Sequence, residues 1–339
     1  MRLVIDDKIP YIRGLAEQLG ETVYRPGAEI SPADVCDADA LIIRTRTHCN
    51  EALLSGSRVR FIATATIGFD HLDTRYLQQA GISWANCPGC NARSVAQYIE
   101  SALLALHEEG RLPDPRTLCV GIVGVGHVGS AVAEVLRELG CRLLLCDPPR
   151  AEREGADGFA DLATLAEEAD VITCHTPLTT IGPHATYHLI DAPFFAALRR
   201  RPLFINSGRG EVVNTPALLQ ALESGQVSEA VIDTWEDEPH ISLSLLQRVA
   251  IGTPHIAGYS ADGKANGTQM ALNAVARFFG LPQTFRVSPP ALTGVTPEAD
   301  PVRRKLQLYD PRRDSQALKA HPEQFEYLRG HYPLRREHF

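Results

Sequence analysis

Three residues far apart in the chain have the types and settings that proton chemistry beside a carboxylate requires. Arg209 stands in "LFINSGRGEVVN", where the apolar run Leu203-Phe204-Ile205 ends at Asn206 and a permanent positive charge follows between two glycines. A guanidinium at the tip of a buried strand can hold a carboxylate through two parallel hydrogen bonds. Glu238 lies in "DTWEDEP" and His255 in "IGTPHIAG", each just after a further apolar run. Histidine exchanges a proton near neutral pH, and a carboxylate beside it orients the ring and favours its protonated form. Taken singly, each residue has a plain structural reading: a turn arginine, a solvated acid, a core or loop histidine.

The set works only if one scaffold brings the three together. "LCVGIVG", "RLLLCD", "VITCHT", "LFINSG" and "EAVIDTW" are short continuous apolar runs alternating with helical patterns, as in parallel strands buried on both faces. Ligands of such sheets bind beyond the carboxyl ends of the strands, where Arg209, Glu238 and His255 would converge. Within this region Gly124-x-Gly126-x-x-Gly129 follows a predicted strand and opens a predicted helix. Gly124 permits the tight turn, Gly126 lets the backbone approach a pyrophosphate, and Gly129 lets helix and strand pack closely. The helix N-terminus offers free N–H groups to the phosphates. Asp147, at the end of "CRLLLCD", is placed to accept hydrogen bonds from the adenosine ribose and to repel a 2′-phosphate. The pattern therefore predicts NAD rather than NADP, with the nearby Arg150 weakening that preference slightly. Beside a nicotinamide, the trio suits hydride transfer from a 2-hydroxy acid.

Earlier in the chain, "RLVI", "ALIIR", "RFIATA" and "ISWAN" read as strands of a first α/β unit. "SVAQYIESALLALHEEG" reads as a long helix with Ser94 as its N-cap, and "LPDPRT" as a connector. After the second sheet, "KANGTQMALNAVARFFG" is another helix, by which the chain returns to the first unit. From Ser288 the composition turns proline-rich and polar. The predicted fold is thus α/β: a Rossmann-type doubly wound parallel sheet domain inserted into a smaller flavodoxin-like substrate domain, with a short C-terminal appendage. Residues 1–99 form the first part of the substrate domain, 100–256 the nucleotide domain, 257–287 the return, and 288–339 the C-terminal segment.

The chain has 339 residues, is 44% hydrophobic and 22% charged, and carries a net charge of −8. That balance suits a globular protein and disfavours nucleic acid or a membrane surface as partner. The first residues, "MRLVIDDKIP", carry acids where a signal peptide needs an apolar core, and no run of eighteen apolar residues occurs. A cytoplasmic location with reduced thiols is expected. Cys87-Pro88-Gly89-Cys90 has redox-motif spacing, but it sits between a strand end and a helix and reads as a turn flanked by thiols. No metal is expected.

The contexts of the trio, with "IDDKIPY", "TATIGFDHLD", "CPGCNARSVAQYIESALLAL", "NSGRGEVV" and "TPHIAGYSADGKANGT", resemble the D-2-hydroxyacid dehydrogenase family over most of Met1–Leu281. "TATIGFDHLD" and "HIAGYSADGKANGT" narrow the likeness to a member whose substrate carries a phosphate. The resemblance implies that Arg209 and Glu238 are active-site residues and that His255 is the proton donor or acceptor. It implies that Thr45, Thr66 and Tyr259 touch the substrate. It places His127, Val128, Asp147, Thr176, Ser207, Gly208, Arg209, Asp233 and Gly258 at NAD, along with the three motif glycines. It also implies a homodimer and closure of one domain on the other. Arg44, beside Thr45 in "LIIRTRTHCNE", becomes a candidate for the phosphate, with Arg46 nearby; the plain alternative is that both are solvated edge charges. The polar C-terminal segment matches the family's dimerisation region poorly and is a candidate for a shortened version of it, and "PEQFEYLRGHY" reads as a small helix. Arg303, Arg304, Arg312 and Arg313 read as solvated charges, the alternative being that they lean on a neighbouring active site. Two other functions stay open at this point: a sister dehydrogenase acting on 3-phosphoglycerate, glycerate or a simple 2-hydroxy acid, and a non-catalytic NAD-sensing protein built on the same fold.

Overall fold

The computed structural model describes residues 1–339. The chain forms two compact units, Met1–Asn91 with Ser260–Ala291 and Ala92–Tyr259 with Leu292–Phe339.

The first unit is built on a parallel sheet of β1 (Arg2–Asp6), β2 (Glu21–Arg25), β3 (Ala40–Ile43), β4 (Phe61–Thr64) and β5 (Ser83–Ala85), in the order β2-β1-β3-β4-β5. This is the flavodoxin-like order. The apolar runs of β1, β3 and β4 are buried on both faces, so alternate side chains feed two cores. Leu3, Ile5, Ala40, Ile42, Phe61 and Ala63 pack with Leu272, Val275 and Ala276 of the returning helix Ala261–Phe278. Val4, Leu41, Ile43 and Ile62 face the other way, onto Val35, Leu53 and Leu77. Ser260 caps the returning helix by accepting from the Gly263 N–H at 2.8 Å. Strand β3 stops at Ile43, so Arg44 and Arg46 lie in the turn beyond it and not on a strand face.

The second unit carries β6 (Cys119–Val123), β7 (Arg142–Cys146), β8 (Val171–Cys174), β9 (Leu203–Asn206), β10 (Glu229–Ile232) and β11 (Ile251–Gly252), all parallel, in the order β11-β10-β9-β8-β6-β7. The chain reverses its winding between β6 and β8, the switch point at which ligands of such sheets bind. The glycine motif follows β6 and leads into the helix His127–Glu138.

Four expectations need correction here. The long helix runs Ala92–Glu108 and belongs whole to the second unit, so a boundary at residue 100 would cut it. Ser94 lies inside that helix, and its hydroxyl bonds Glu337 at 2.8 Å instead of capping. The C-terminal segment, moreover, is no appendage. Its helices Pro301–Leu308, Pro311–Ala320 and Phe325–Gly330 belong to the second unit. Leu318 and Phe325 are buried in one cluster with Trp235, Leu246 and Phe195. Full burial of such side chains is worth about 1.5–3 kcal/mol each. The Ser315 hydroxyl accepts from the Gly252 N–H at 3.0 Å, and the Lys319 ammonium donates to the Val249 carbonyl at 2.6 Å, so this segment covers the β11 edge. Arg312 is not a solvated charge either: it pairs with Asp310 and Glu108, each at 2.8 Å. Arg304 donates to the Glu298 carbonyl at 2.7 Å.

Candidate active site

The predicted trio is carried by three neighbouring strands. Ile232 of β10 pairs with Asn206 of β9 on one side and Gly252 of β11 on the other, so the loops bearing Arg209, Glu238 and His255 leave adjacent carboxyl ends. Buried Asn206 ties two of these loops together. Its amide donates to the Arg209 carbonyl at 3.0 Å and to the Thr234 carbonyl at 3.4 Å, while its oxygen accepts from the Gly208 N–H at 3.2 Å. Gly210 is needed because any Cβ there would run into the Trp235 carbonyl. The Arg209 guanidinium is exposed and bonds only the Gly208 carbonyl, at 2.8 Å. It has no carboxylate partner, which leaves its fork open to an anion.

Glu238 and His255 form a pair. Glu238 Oε1 accepts from the Trp235 N–H at 2.9 Å, and Oε2 lies 2.8 Å from His255 Nδ1. Burial pushes the Glu238 carboxyl up, but the hydrogen bond and charge of His255, the Trp235 N–H and the charge of Arg329 outweigh it, and the acid ends below its ordinary value. A carboxylate on Nδ1 fixes the ring tautomer and leaves Nε2 as the working nitrogen. The His255 backbone is left-handed, with φ 56, a conformation costly for a residue with a Cβ. Its N–H donates to the Asp233 carbonyl at 2.9 Å and the Thr253 carbonyl at 3.0 Å.

Around that residue the loop is heavily tied. The buried Asp233 carboxylate accepts from the Thr253 hydroxyl at 2.6 Å, the Ile256 N–H at 2.8 Å and the Ala257 N–H at 3.0 Å. Burial raises the Asp233 carboxyl even so. The Thr253 hydroxyl in turn accepts from the Tyr98 hydroxyl at 2.8 Å. From the C-terminal segment, Arg335 reaches the carbonyls of Ala257, Tyr259, Ser94 and Ile256 at 2.6, 2.9, 3.1 and 3.0 Å, and its guanidinium lies over the Tyr309 ring.

The nucleotide residues fit a dinucleotide. Gly124 has φ +86, and a Cβ there would meet the Thr176 amide nitrogen at 2.9 Å. Gly126 opens onto free space, as a loop that meets a pyrophosphate requires, and Gly129 packs on the Gly124 carbonyl. The helix beginning at His127, with Val128 in its first turn, aims its N–H groups beyond β6. The Thr176 hydroxyl is buried and has no hydrogen-bond partner within the protein. Asp147 also holds the glycine loop itself: its oxygens accept from the Val125 N–H at 2.8 Å and the Arg150 N–H at 2.9 Å. The Arg150 side chain is committed to the Val125 carbonyl and to Glu154, both at 2.8 Å, so it does not wait for a 2′-phosphate. Ser207 reaches His175 at 3.3 Å, and desolvation keeps that ring neutral. Gly208 sits where a Cβ would crowd the Thr176 carbonyl at 3.1 Å. Gly258 and Tyr259 follow directly in the His255 loop.

Thr45, Thr66 and Arg44 belong to the first unit, beyond the carboxyl ends of β3 and β4. Thr45 is exposed. The Thr66 hydroxyl bonds the Gly68 carbonyl at 2.9 Å and the Thr64 hydroxyl at 2.7 Å. Arg44 is no free edge charge: its guanidinium lies 3.1 Å from the fully buried Asp6 carboxylate. In the same unit the Cys87 thiol donates to the Thr64 and Gly267 carbonyls, and burial pushes it up to about 12, which suits a packed thiol rather than a redox centre. An open groove lined by Thr74, Leu77, Ile82 and Trp84 brings together no set of ionisable groups. The residues that sequence reasoning missed are Arg329 and Arg335. Both lie in a polar tail with no motif around them, and only tertiary docking reveals them.

Residues 98–257 match the family model described as "D-isomer specific 2-hydroxyacid dehydrogenase, NAD binding domain". Among solved structures, an NAD-complexed D-isomer specific 2-hydroxyacid dehydrogenase from Lactobacillus delbrueckii ssp. bulgaricus is similar at a TM-score of 0.70 and 22% identity, covering 84% of this chain and 98% of that one. D-lactate dehydrogenase from Aquifex aeolicus, complexed with NAD and lactic acid, is similar at a TM-score of 0.62 and 24% identity, covering 83% and 96%. Fold and family together define an NAD-dependent dehydrogenase of the D-2-hydroxyacid class. Erythronate-4-phosphate dehydrogenase of Bacteroides thetaiotaomicron is 56% identical over 339 residues, covering 99% of this chain and 97% of the relative. The enzyme of the same name from Edwardsiella ictaluri is 48% identical over 349 residues, covering 99% and 93%. The chain belongs to the erythronate-4-phosphate dehydrogenase family within that class.

Proposed function

We propose that the protein oxidises the C2 hydroxyl of 4-phospho-D-erythronate to the 2-oxo acid, 2-oxo-3-hydroxy-4-phosphobutanoate, a step toward pyridoxal phosphate. The carrying observation is the 2.8 Å pairing of Glu238 with His255 at a sheet end whose neighbouring strand β9 leads to an arginine that has no carboxylate partner. Arg209 anchors the substrate carboxylate by its open fork and fixes C2. His255 Nε2 accepts the C2 hydroxyl proton. Glu238 stabilises the imidazolium that results and holds the ring against rotation. NAD, when bound, supplies the acceptor for the hydride that leaves C2. Gly124, Gly126, Gly129, His127 and Val128 form the phosphate cradle, Asp147 takes the ribose, and Thr176, Ser207, Gly208, Asp233 and Gly258 complete the cofactor contacts.

Thr45, Thr66 and Tyr259 are assigned to substrate contact, and Arg44 to the phosphate, its guanidinium steered by Asp6. The names of the relatives support this choice of substrate. The reading includes a cytoplasmic homodimer; eight cysteines that form no disulfide suit a reducing compartment. No helix is long and apolar enough to cross a membrane. The test is NADH formation from 4-phosphoerythronate, 3-phosphoglycerate and D-glycerate, assayed side by side. The highest kcat/KM is expected with 4-phosphoerythronate. A higher value for either of the others makes the protein a sister dehydrogenase, and none at all makes it a binding protein.

A further inference from the structure

The acid of the trio has a second basic neighbour, and it comes from the C-terminal segment. Arg329, on the helix Phe325–Gly330, places Nη1 3.7 Å from Glu238 Oε2, the same oxygen that meets His255. Its side chain also hydrogen-bonds Tyr259, four residues after His255. The contact is not one of convenience between loose surface groups. Arg329 retains 29% of its side-chain exposure and Glu238 only 17%. The helix bearing it is fixed on one side by buried Phe325, which packs in the cluster containing Trp235. On the other side it is fixed by Arg335 and its cage of carbonyls in the Ile256–Tyr259 stretch. Glu326, 3.8 Å away and on the same helix, is the other acid facing Arg329. Around the pair, Glu238 faces His255 and Arg329, and His255 also faces the charge of Asp233.

We propose that Arg329 is a positioning residue that sets the Glu238 carboxylate, so that the C-terminal segment completes the active site of its own chain. This rests on the assignment of Glu238 and His255 made above. A guanidinium anchored by Tyr259 and held 3.7 Å from the carboxylate favours, through its charge, the orientation in which the acid faces it. It keeps Glu238 turned so that Oε1 meets the Trp235 N–H and Oε2 meets His255. Without it, the carboxylate can swing away from Nδ1, and the ring loses its orienting group.

The experiment is steady-state oxidation of 4-phosphoerythronate by the full-length protein carrying Arg329→Met, Arg329→Lys, Glu238→Gln or the Arg329→Met/Glu238→Gln pair. NAD affinity and thermal unfolding are measured on each. Arg329→Met is expected to lower kcat about three- to tenfold, the range for a half-buried ion pair, with NAD affinity unchanged. Arg329→Lys should recover part of the loss, since it restores the charge but not the fork. In the Glu238→Gln background, Arg329→Met should cost less than twofold more, because the group it positions is already gone. If Arg329→Met leaves kcat within twofold while Glu238→Gln lowers it, the inference fails and the catalytic assignment stands. An equal loss in both backgrounds also refutes it, by showing that Arg329 does not act through Glu238. If Glu238→Gln itself has no effect, it is the underlying assignment that fails.

Discussion

Replacing Glu238 by Gln tests the chemistry most directly, because it removes a charge and keeps the shape. Glutamine keeps one acceptor oxygen, so it can meet either the Nδ1–H of His255 at the 2.8 Å position or the Trp235 N–H at the 2.9 Å position, and its NH2 is left facing the other. What disappears besides that one hydrogen bond is the attraction between carboxylate and imidazolium, which exists only after His255 has taken the substrate proton. With charge centres about 4 Å apart, that attraction is roughly 4 kcal/mol at an effective dielectric constant near 20. The Glu238 and His255 side chains are 17% and 26% exposed, so water screens part of it. About half, roughly 2 kcal/mol, is a reasonable net figure, and it corresponds to about a 30-fold loss in kcat for oxidation. The assay is the initial rate of NADH formation at saturating NAD, with NAD affinity measured separately by fluorescence titration. NAD affinity should be unchanged, since no atom of Glu238 lies in the glycine cradle. A variant that keeps kcat within threefold of the parent, with unaltered unfolding, would show that the imidazolium does not depend on this acid.

Two further outcomes follow from the same structure. His255→Ala should lower turnover by ~10²–10⁴, the usual worth of a positioned proton acceptor, while NAD binding stays nearly the same; undiminished turnover would mean that another base does the work. Asp314, buried near Arg335, has a carboxyl pushed up to about 6 by desolvation, against the pull of its hydrogen bonds and of Arg335. An acid raised on folding favours the folded state while protonated, so its contribution is full below about pH 4 and is lost as pH rises through about 6. Relative to Asp314→Asn, the parent should lose up to about 3 kcal/mol of unfolding free energy across that window, measured by denaturant titration at several pH values. Parallel pH curves for parent and variant would remove Asp314 from the account.

Much of the scaffold is legible in the chain because parallel strands buried on both faces leave uninterrupted apolar runs. β3, β4, β8 and β9 are such runs, and each is buried throughout. The glycine motif is legible because each glycine answers a separate steric demand, seen at Gly124 and Gly129. The trio is legible because residues after strand ends share one edge of a sheet. The limits of local reading are equally specific. "ALIIR" gives no sign that the strand ends before Arg44, or that Asp6 draws that arginine inward. Ser94 resembles a cap in sequence, but the helix starts two residues earlier and its hydroxyl is used by Glu337, 243 positions away. The polar tail looked solvated because its helices bury only a few side chains, Leu306, Leu318 and Phe325 among them. Its arginines find partners that no periodicity announces.

The hydroxyl of Ser315 on the Gly252 N–H, and the Lys319 ammonium on the Val249 carbonyl, have a bearing on how this chain can meet others. β11 is only two residues long, and its free margin is already answered from within the same molecule. A passing extended peptide therefore finds few unspent amide groups to zip onto there. For two copies seeking each other, a lengthened ribbon running on past Gly252 is closed.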